Sequence, residues 1–287
     1  MEDLGAREVI KVPREEIAEL YRHSELFDAD ILVNGTPVGM YPHIDDLVAD
    51  ISPFTKLSCV VDVIYNPYNT RLLIEAQKRK IKAVNGLKML AAQAKASSEI
   101  FLGAKVDNKV IKEIYNQIRK ESVNIVFVGM GGSGKTTVAT QIANDFGMEI
   151  LDTDKLIEAK TGKSILQIFD EQMEDGFRKY EKAVINEVAK LHNKVIATGG
   201  GSVIDEKNCI RLKANGILVY IKCNPDQIDF RNRPCYASRE SAKRIYAKRS
   251  RLYEAVADIT VENHIFKKSV KELVEEVKNG IAGYQRG

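Results

Sequence analysis

Val123-Asn124-Ile125-Val126-Phe127-Val128 runs directly into Gly129-Met130-Gly131-Gly132-Ser133-Gly134-Lys135-Thr136-Thr137, and this junction decides the fold. The second stretch fills every fixed position of the pattern G-x-x-x-x-G-K-[ST]. The β-branched run before it has strand character, and Val138, Ile142 and Ala143 after it follow a helical pattern. A glycine-rich turn between strand and helix lets successive backbone N–H groups face phosphate oxygens, and the helix adds its positive N-terminal end. The candidate nucleotide-binding residues are therefore Gly132, Ser133, Gly134, Lys135, Thr136 and Thr137. Lys135 is placed to reach the β- and γ-phosphates, and the Thr136 hydroxyl to ligate Mg²⁺. A glycine-rich connector without a ligand is the plainer alternative, and the strand and helix on either side speak against it.

Working outward, the chain of 287 residues has room for one large domain or two ordinary ones. Its 44% hydrophobic and 29% charged residues are the balance of a soluble globular protein. No apolar run reaches the length a bilayer requires, and M-E-D-L-G-A-R-E is too acidic and polar for a signal peptide, so a cytoplasmic location is expected. The net charge of +3 gives no argument for nucleic acid. Arg and Lys do bunch between Arg231 and Arg251, but without the interleaved aromatic residues of a base-stacking surface. Cys59, Cys209, Cys223 and Cys235 show no C-x-x-C spacing, and thiols in a reducing compartment are the expectation. The four histidines are scattered and take no role.

Two α/β segments meet near residues 104–121, where Val106, Val110, Ile111, Ile114 and Ile118 space as one face of an amphipathic helix. The expected division is 1–103, a helical linker 104–121, and 122–287. In the last segment the pattern predicts strands at 125–128, ending at Asp152, at 195–198 and at 217–221, with helices from Thr136, through about Ala189, and at 270–281. Short apolar runs separated by helices predict an α/β fold, a mostly parallel sheet flanked by helices. The first segment predicts strands at 8–12, 31–34, 59–64 and 82–84, and helices near 14–21, 71–80 and from Leu87, as part of a doubly wound Rossmann-like sheet.

Three further patterns bear on chemistry. Leu151-Asp152-Thr153-Asp154 puts two carboxylates just past a predicted strand, where Asp can hold Mg²⁺ or orient a hydroxyl nucleophile; either Asp alone would equally serve as a helix cap. Asp175-Gly176-Phe177-Arg178-Lys179-Tyr180-Glu181 lies in a charged helix, where a lone Arg is ordinarily solvated. Thr198-Gly199-Gly200-Gly201 again follows a strand, and its glycines permit either close approach to a ligand or simply a tight turn.

In this order and spacing, G-M-G-G-S-G-K-T-T, L-D-T-D, E-D-G-F-R-K-Y-E, A-T-G-G-G-S-V, R-P and R-S-R-L-Y-E-A-V-A-D-I-T-V resemble the shikimate kinases, over residues 122–285. The resemblance implies a P-loop kinase that moves the γ-phosphate of ATP, with Mg²⁺, to the 3-hydroxyl of shikimate, on the route to chorismate and the aromatic amino acids. It implies that Asp154 orients or deprotonates the attacking hydroxyl, that Arg178 and Arg249 bind the shikimate carboxylate, and that the Gly200 N–H contacts the substrate. It also implies that Arg233, in a mobile lid, reaches the nucleotide phosphates. Thr136 and Asp152 are the implied metal residues, and Lys135, Asp154 and Arg233 the catalytic ones. The lid departs from the family: R-N-R-P-C-Y-A-S-R stands where R-R-P-L-L and a longer polar stretch are usual, which leaves Arg231 and Arg239 as substitutes for Arg233. A kinase of another small hydroxylated acid such as gluconate, and a silent nucleotide-binding partner, are the competing readings.

In the first segment, N-G-T-P-V-G-M from Asn34, D-V-I-Y-N-P from Asp62, and V-N-G-L-K-M-L from Val84 with Gln93 resemble the C-terminal part of shikimate dehydrogenases, over residues 4–103. The resemblance implies that Tyr65 and Gln93 touch shikimate and that Gly86 lies beside a nicotinamide. The family's substrate domain and the G-x-G-x-x-G turn that should precede Leu4-Gly5-Ala6 have no counterpart, so no functional NADP site and no hydride transfer by this chain alone are expected. A sheet lacking its first strand exposes an edge and apolar surface, so either a homodimer through this segment or reduced order there is the expected consequence.

Overall fold

The structure is a computed structural model that describes residues 8–13, 16, 24–228, 238–264 and 268–284. The chain divides into two compact units, Met1–Ile111 and Lys112–Gly287.

In the first unit, strands β1 (Ile31–Asn34), β2 (Cys59–Asp62) and β3 (Lys82–Val84) form a parallel sheet in the order β1-β2-β3, with helices α1 (Arg71–Lys78) and α2 (Leu87–Leu102). The core gathers Ile51, Phe54, Val60, Leu72, Leu73 and Ala76. Strand β2 stops two residues before the predicted end because the buried Asp62 carboxylate accepts the Ile64 N–H at 3.0 Å and the Thr70 hydroxyl at 2.6 Å, which turns the chain. Helix α1 is also two residues shorter than predicted, and Lys80 beyond it takes a left-handed φ of 59°. Residues 8–12 form no strand, which corrects that expectation; they are largely exposed, with Val12 packed against the core. The predicted helix near 14–21 lies outside the described residues apart from Glu16. On edge strand β1, Ile31 and Val33 are exposed.

The second unit begins within α3 (Lys109–Ser122), whose apolar positions Val110, Ile111, Ile114 and Ile118 form its half-buried face. It then continues through β4 (Asn124–Val128), α4 (Lys135–Phe146), β5 (Glu149–Asp152), α5 (Thr153–Thr161), α6 (Ile165–Val188), β6 (Lys194–Ala197), α7 (Glu206–Asn215), β7 (Gly216–Cys223), α8 (Arg239–Val256), β8 (Ile259–Asn263) and α9 (Val270–Tyr284). The five strands are all parallel in the order β5-β6-β4-β7-β8.

Strand β4 shows why a continuous apolar run suits a central parallel strand. Alternate residues face opposite sides of the sheet, and both sides are covered. Val126 and Val128 pack with Ile168, Phe177, Val184, Leu212 and Tyr253, whereas Ile125 and Phe127 pack with Val138, Ile142, Leu273, Val274 and Val277. Strand β8 has no such signature, since Ile259, Thr260 and Glu262 are not buried, and its edge position escaped the sequence pattern. Among the described residues, no helix is long and apolar enough to cross a membrane.

Chain order leaves β4 for the edge strand β5, returns to β6 beside β4, and then crosses to β7. Helix α4 after β4 packs on one face, and α7 after β6 packs on the other. The carboxyl ends of β4 and β6 therefore flank the point where the connections diverge, which is where open α/β sheets hold ligands.

Candidate active site

The loop from β4 to α4 needs left-handed backbone. Gly129, Gly132 and Gly134 have φ of 140°, 86° and 90°, a region that L side chains rarely adopt. A Cβ on Gly134 would lie 2.8 Å from Asn263 Nδ2, which donates to the Ser133 carbonyl at 2.8 Å. Gly134→Ala is therefore expected to destabilise the fold by about 1–3 kcal/mol and to raise the KM for ATP, as thermal unfolding and nucleotide titration would register. Lys135 is buried at the start of α4, and its Nζ donates to the Met130 carbonyl at 2.7 Å, across the loop it belongs to. The Ser133 hydroxyl is fully buried with no hydrogen-bond partner among the described residues.

Asp152, at the end of β5, serves two purposes. Its Oδ1 accepts the N–H groups of Asp154 and Lys155 at 3.0 and 3.3 Å, capping α5, while its Oδ2 accepts the Thr136 hydroxyl at 3.2 Å. The helix-cap reading thus holds for Asp152, and its second oxygen stands beside the Thr136 hydroxyl. Thr136 and Asp152 offer the hard oxygen donors that Mg²⁺ prefers, a set that leaves further positions for water and phosphate.

The turn after β6 is held against the phosphate loop. Thr198 binds the Phe127 carbonyl through both N–H and hydroxyl, at 3.1 and 2.9 Å, and Gly199 N–H donates to the buried Thr153 hydroxyl at 3.0 Å. A Cβ on Gly200 would lie 2.9 Å from the Gly131 nitrogen. The glycines of residues 199–201 therefore permit close approach, at Gly200 to the phosphate loop, at Gly199 to Asp154 and Glu181, and at Gly201 to the Arg178 guanidinium. The Gly200 carbonyl accepts from Arg249 Nη1 at 3.3 Å and from the Tyr253 hydroxyl.

Asp154 lies at the first turn of α5. Burial, and then the neighbouring Asp152 charge, push its carboxyl above the ordinary range, against the opposing attraction of Lys135. Its Oδ1 is buried without a partner among the described residues, and so is Glu181 Oε1. Both oxygens flank Gly199, where a Cβ would meet them at 2.6 and 3.1 Å. Two orphaned acceptors beside a glycine turn are suited to the hydroxyl groups of a ligand, because an unpaired buried acceptor is costly unless something donates to it.

Arg178 is not the solvated residue that a charged helix suggests. Its Nη1 binds buried Glu181 Oε2 at 2.7 Å, its Nη2 and Nε bind Glu174 Oε1 at 2.6 and 3.2 Å, and its guanidinium lies 5.3 Å from the Phe177 ring centroid. Arg249 Nη2 is 3.7 Å from the same Glu174 oxygen, so the two guanidinium groups converge. Beside them is a groove of about 610 Å³ lined by Phe169, Met173, Glu174, Ile245, Lys248 and Arg249, among others.

The structure thus brings together Gly132, Ser133, Gly134, Lys135, Thr136, Thr137, Asp152, Asp154, Arg178, Gly200 and Arg249 around the ends of β4, β5 and β6. Arg233, its neighbour Arg231 and Cys235 lie outside the described residues. Arg239 opens α8. The sequence reading gave no role to Glu174, Glu181, Thr153, Tyr253 or Asn263. Helical spacing could have found three of them: Glu174 and Glu181 stand four before and three after Arg178, and Tyr253 four after Arg249. Thr153 and Asn263 carry no such signal.

The sequence model of the family described as "Shikimate kinase" matches residues 131–281. The chain is 38% identical over 162 residues to the shikimate kinase of Caldanaerobacter subterraneus subsp. tengcongensis, covering 54% of this chain and 93% of that protein. To the shikimate kinase of Vibrio cholerae it is 42% identical over 149 residues, covering 49% and 86%. A solved structure of shikimate kinase from Acinetobacter baumannii in complex with shikimate is similar at 34% identity with a TM-score of 0.55, covering 58% of this chain and 97% of that one. The matched half carries the phosphate loop, the paired carboxylates and the converging arginines, and through it the chain belongs to the shikimate kinase family.

Proposed function

We propose that the second unit transfers the γ-phosphoryl group of ATP to the 3-hydroxyl of shikimate, giving shikimate 3-phosphate and ADP for aromatic amino acid biosynthesis. The observation that carries this reading is the junction of the two glycine turns, Gly200 against Gly131, with Asp154 and Glu181 beside it and Arg178 and Arg249 converging nearby. One turn suits phosphates. The other lies among groups suited to hydroxyls and a carboxylate.

Phosphoryl transfer asks the protein chiefly for positioning and for neutralising charge on the moving group. In this reading residues 132–137 hold the triphosphate by backbone N–H groups, and Lys135 exchanges the Met130 carbonyl for phosphate oxygens. Thr136 and Asp152 hold Mg²⁺, which when bound neutralises phosphate charge. Arg178 and Arg249 hold the acceptor carboxylate, for which the planar guanidinium is suited. The Gly200 N–H contacts the acceptor, and Asp154 takes a hydrogen bond from the attacking hydroxyl or removes its proton. Arg233, or Arg231 or Arg239 in its place, supplies positive charge at the phosphates. Purified protein with ATP, Mg²⁺ and shikimate is expected to release ADP in a shikimate-dependent manner. Release with gluconate instead would reassign the acceptor, and no release with any acceptor would leave only nucleotide binding.

The division into 1–103, a linker 104–121 and 122–287, and the cytoplasmic location, belong to the same proposal. The first segment is read as a shikimate dehydrogenase-like Rossmann segment. The motifs around Asn34, Asp62 and Val84, and the parallel order β1-β2-β3, support that reading. Calorimetric titration with NADP⁺ is expected to show no binding, and measurable binding would overturn that expectation. The exposed Ile31 and Val33 on edge strand β1 favour a homodimer through this unit.

A further inference from the structure

Glu174 is the one member of the converging arginine cluster whose carboxylate is half exposed. Its side chain is 53% exposed, against 1% for Glu181, 16% for Arg178 and 11% for Arg249. A single oxygen of Glu174 meets both guanidinium groups, at 2.6 and 3.2 Å from Arg178 and 3.7 Å from Arg249. Glu181 binds Arg178 through a different nitrogen, Nη1, and from inside the fold. Arg178 therefore has one permanent carboxylate partner and one that faces the groove.

The backbone supplies a second, independent observation. Met173, directly before Glu174, interrupts α6 with φ 60° and ψ −171°. That region is almost reserved for glycine, and a non-glycine residue held there stores strain of the kind found at ligand clamps and switch segments. Met173 is 71% exposed and lines the same groove as Glu174. The break places Glu174 at the start of the second helical run of α6, beside the groove.

Resting on the reading that Arg178 and Arg249 receive the acceptor carboxylate, we propose that Glu174 is an internal stand-in for that carboxylate: it occupies the arginine pair in the empty site and is displaced into solvent when the acceptor binds. Charge decides the sense of the exchange. Two guanidinium groups face Glu174 and Glu181, with Lys248 also lining the groove, and an incoming carboxylate added to both would crowd three carboxylates around the arginine pair. Exchange of one carboxylate for the other avoids this, and the half-exposed one is the cheaper to release into water. A neutral ligand of the same shape cannot replace Glu174, so the contact also rejects acceptors that lack the acid group.

Glu174→Gln keeps the shape and the hydrogen-bond acceptor but removes the competing charge. The test is calorimetric titration and steady-state kinetics of the full chain with shikimate and with its carboxamide analogue, for the native protein, Glu174→Gln and Glu174→Ala. Shikimate is expected to bind Glu174→Gln and Glu174→Ala about threefold to fivefold more tightly, with the change falling on KM and Kd, and the carboxamide analogue to gain at least as much, so that the native preference for the acid narrows. Unchanged or weaker shikimate binding by both variants, with the native protein still preferring shikimate over the carboxamide, would overturn the stand-in role alone and make Glu174 a positioning residue for Arg178. Equal binding of acid and amide by the native protein would remove the carboxylate from the arginine pair, and with it both the reading and the stand-in.

Discussion

Asp154→Asn is expected to lower kcat for shikimate phosphorylation by about 100- to 10,000-fold, the range found when a positioned acid–base group is removed. The amide preserves size and can still accept a hydrogen bond, so the loss would reflect the missing negative charge at the attacking hydroxyl. The same substitution is expected to stabilise the protein at neutral pH. Burial and the Asp152 charge raise the Asp154 pKa, so the folded state holds the proton more tightly than the unfolded chain does. The stability this group contributes is fully present below its unfolded pKa and is lost as pH rises through its folded pKa. Asparagine does not ionise, so Asp154→Asn should melt higher than the native protein at pH 7.5, with the advantage gone once both forms are measured below the ordinary carboxylate range. An acid limb in the native kcat/KM profile, above the usual Asp range, belongs to the same picture. A variant that melts lower at pH 7.5 would instead make Asp154 a structural residue.

The second large effect is expected at Arg178. Arg178→Met leaves Glu181, 1% exposed, without its 2.7 Å partner, and breaking such a pair from one side costs about 3–5 kcal/mol. The Glu181 pKa is already raised, since burial outweighs the attraction of Arg178, and without that attraction it rises further. By the same sign rule the loss grows as pH rises, because below the unfolded pKa the buried carboxyl is protonated and needs no cation. Denaturant unfolding at two pH values measures this. The KM for shikimate should also rise by about 10- to 100-fold, from the loss of a charged hydrogen bond of about 1.5–3 kcal/mol. Adding Glu181→Leu separates the two roles: the double variant should recover stability and should not recover shikimate affinity. Recovery of both would make Arg178 a support for Glu181 and nothing more.

Within the matched unit, the elements that the sequence disclosed best are those whose residues answer to one local requirement. The β4 run and strand β7 are apolar on both faces because helices cover both, and periodicity reports that directly. Glycine at 129, 132 and 134 answers to positive φ, which no other residue type meets cheaply. Edge strand β8 and the break at Met173 were invisible for the converse reason. Ile259–Asn263 is paired on one side and mostly unburied, and a methionine gives no sign that its backbone has left the helix. The shorter β2 depended on what Asp62 binds across the fold, which its neighbours in sequence do not reveal.

For the site, sequence alone determined the phosphate loop, because that loop is a continuous segment whose chemistry lies in its own backbone. The order of the remaining motifs determined the family resemblance and named Asp154, Arg178, Gly200 and Arg249. Only the tertiary structure decided what those residues do to one another. It set Gly200 against Gly131, gave Asp152 a helix cap and a hydroxyl at once, buried Asp154 beside Glu181, and closed two arginines from different helices on one oxygen of Glu174. Those relations depend on desolvation and on distances between segments remote in the chain, and neither quantity is written in any local stretch of residues.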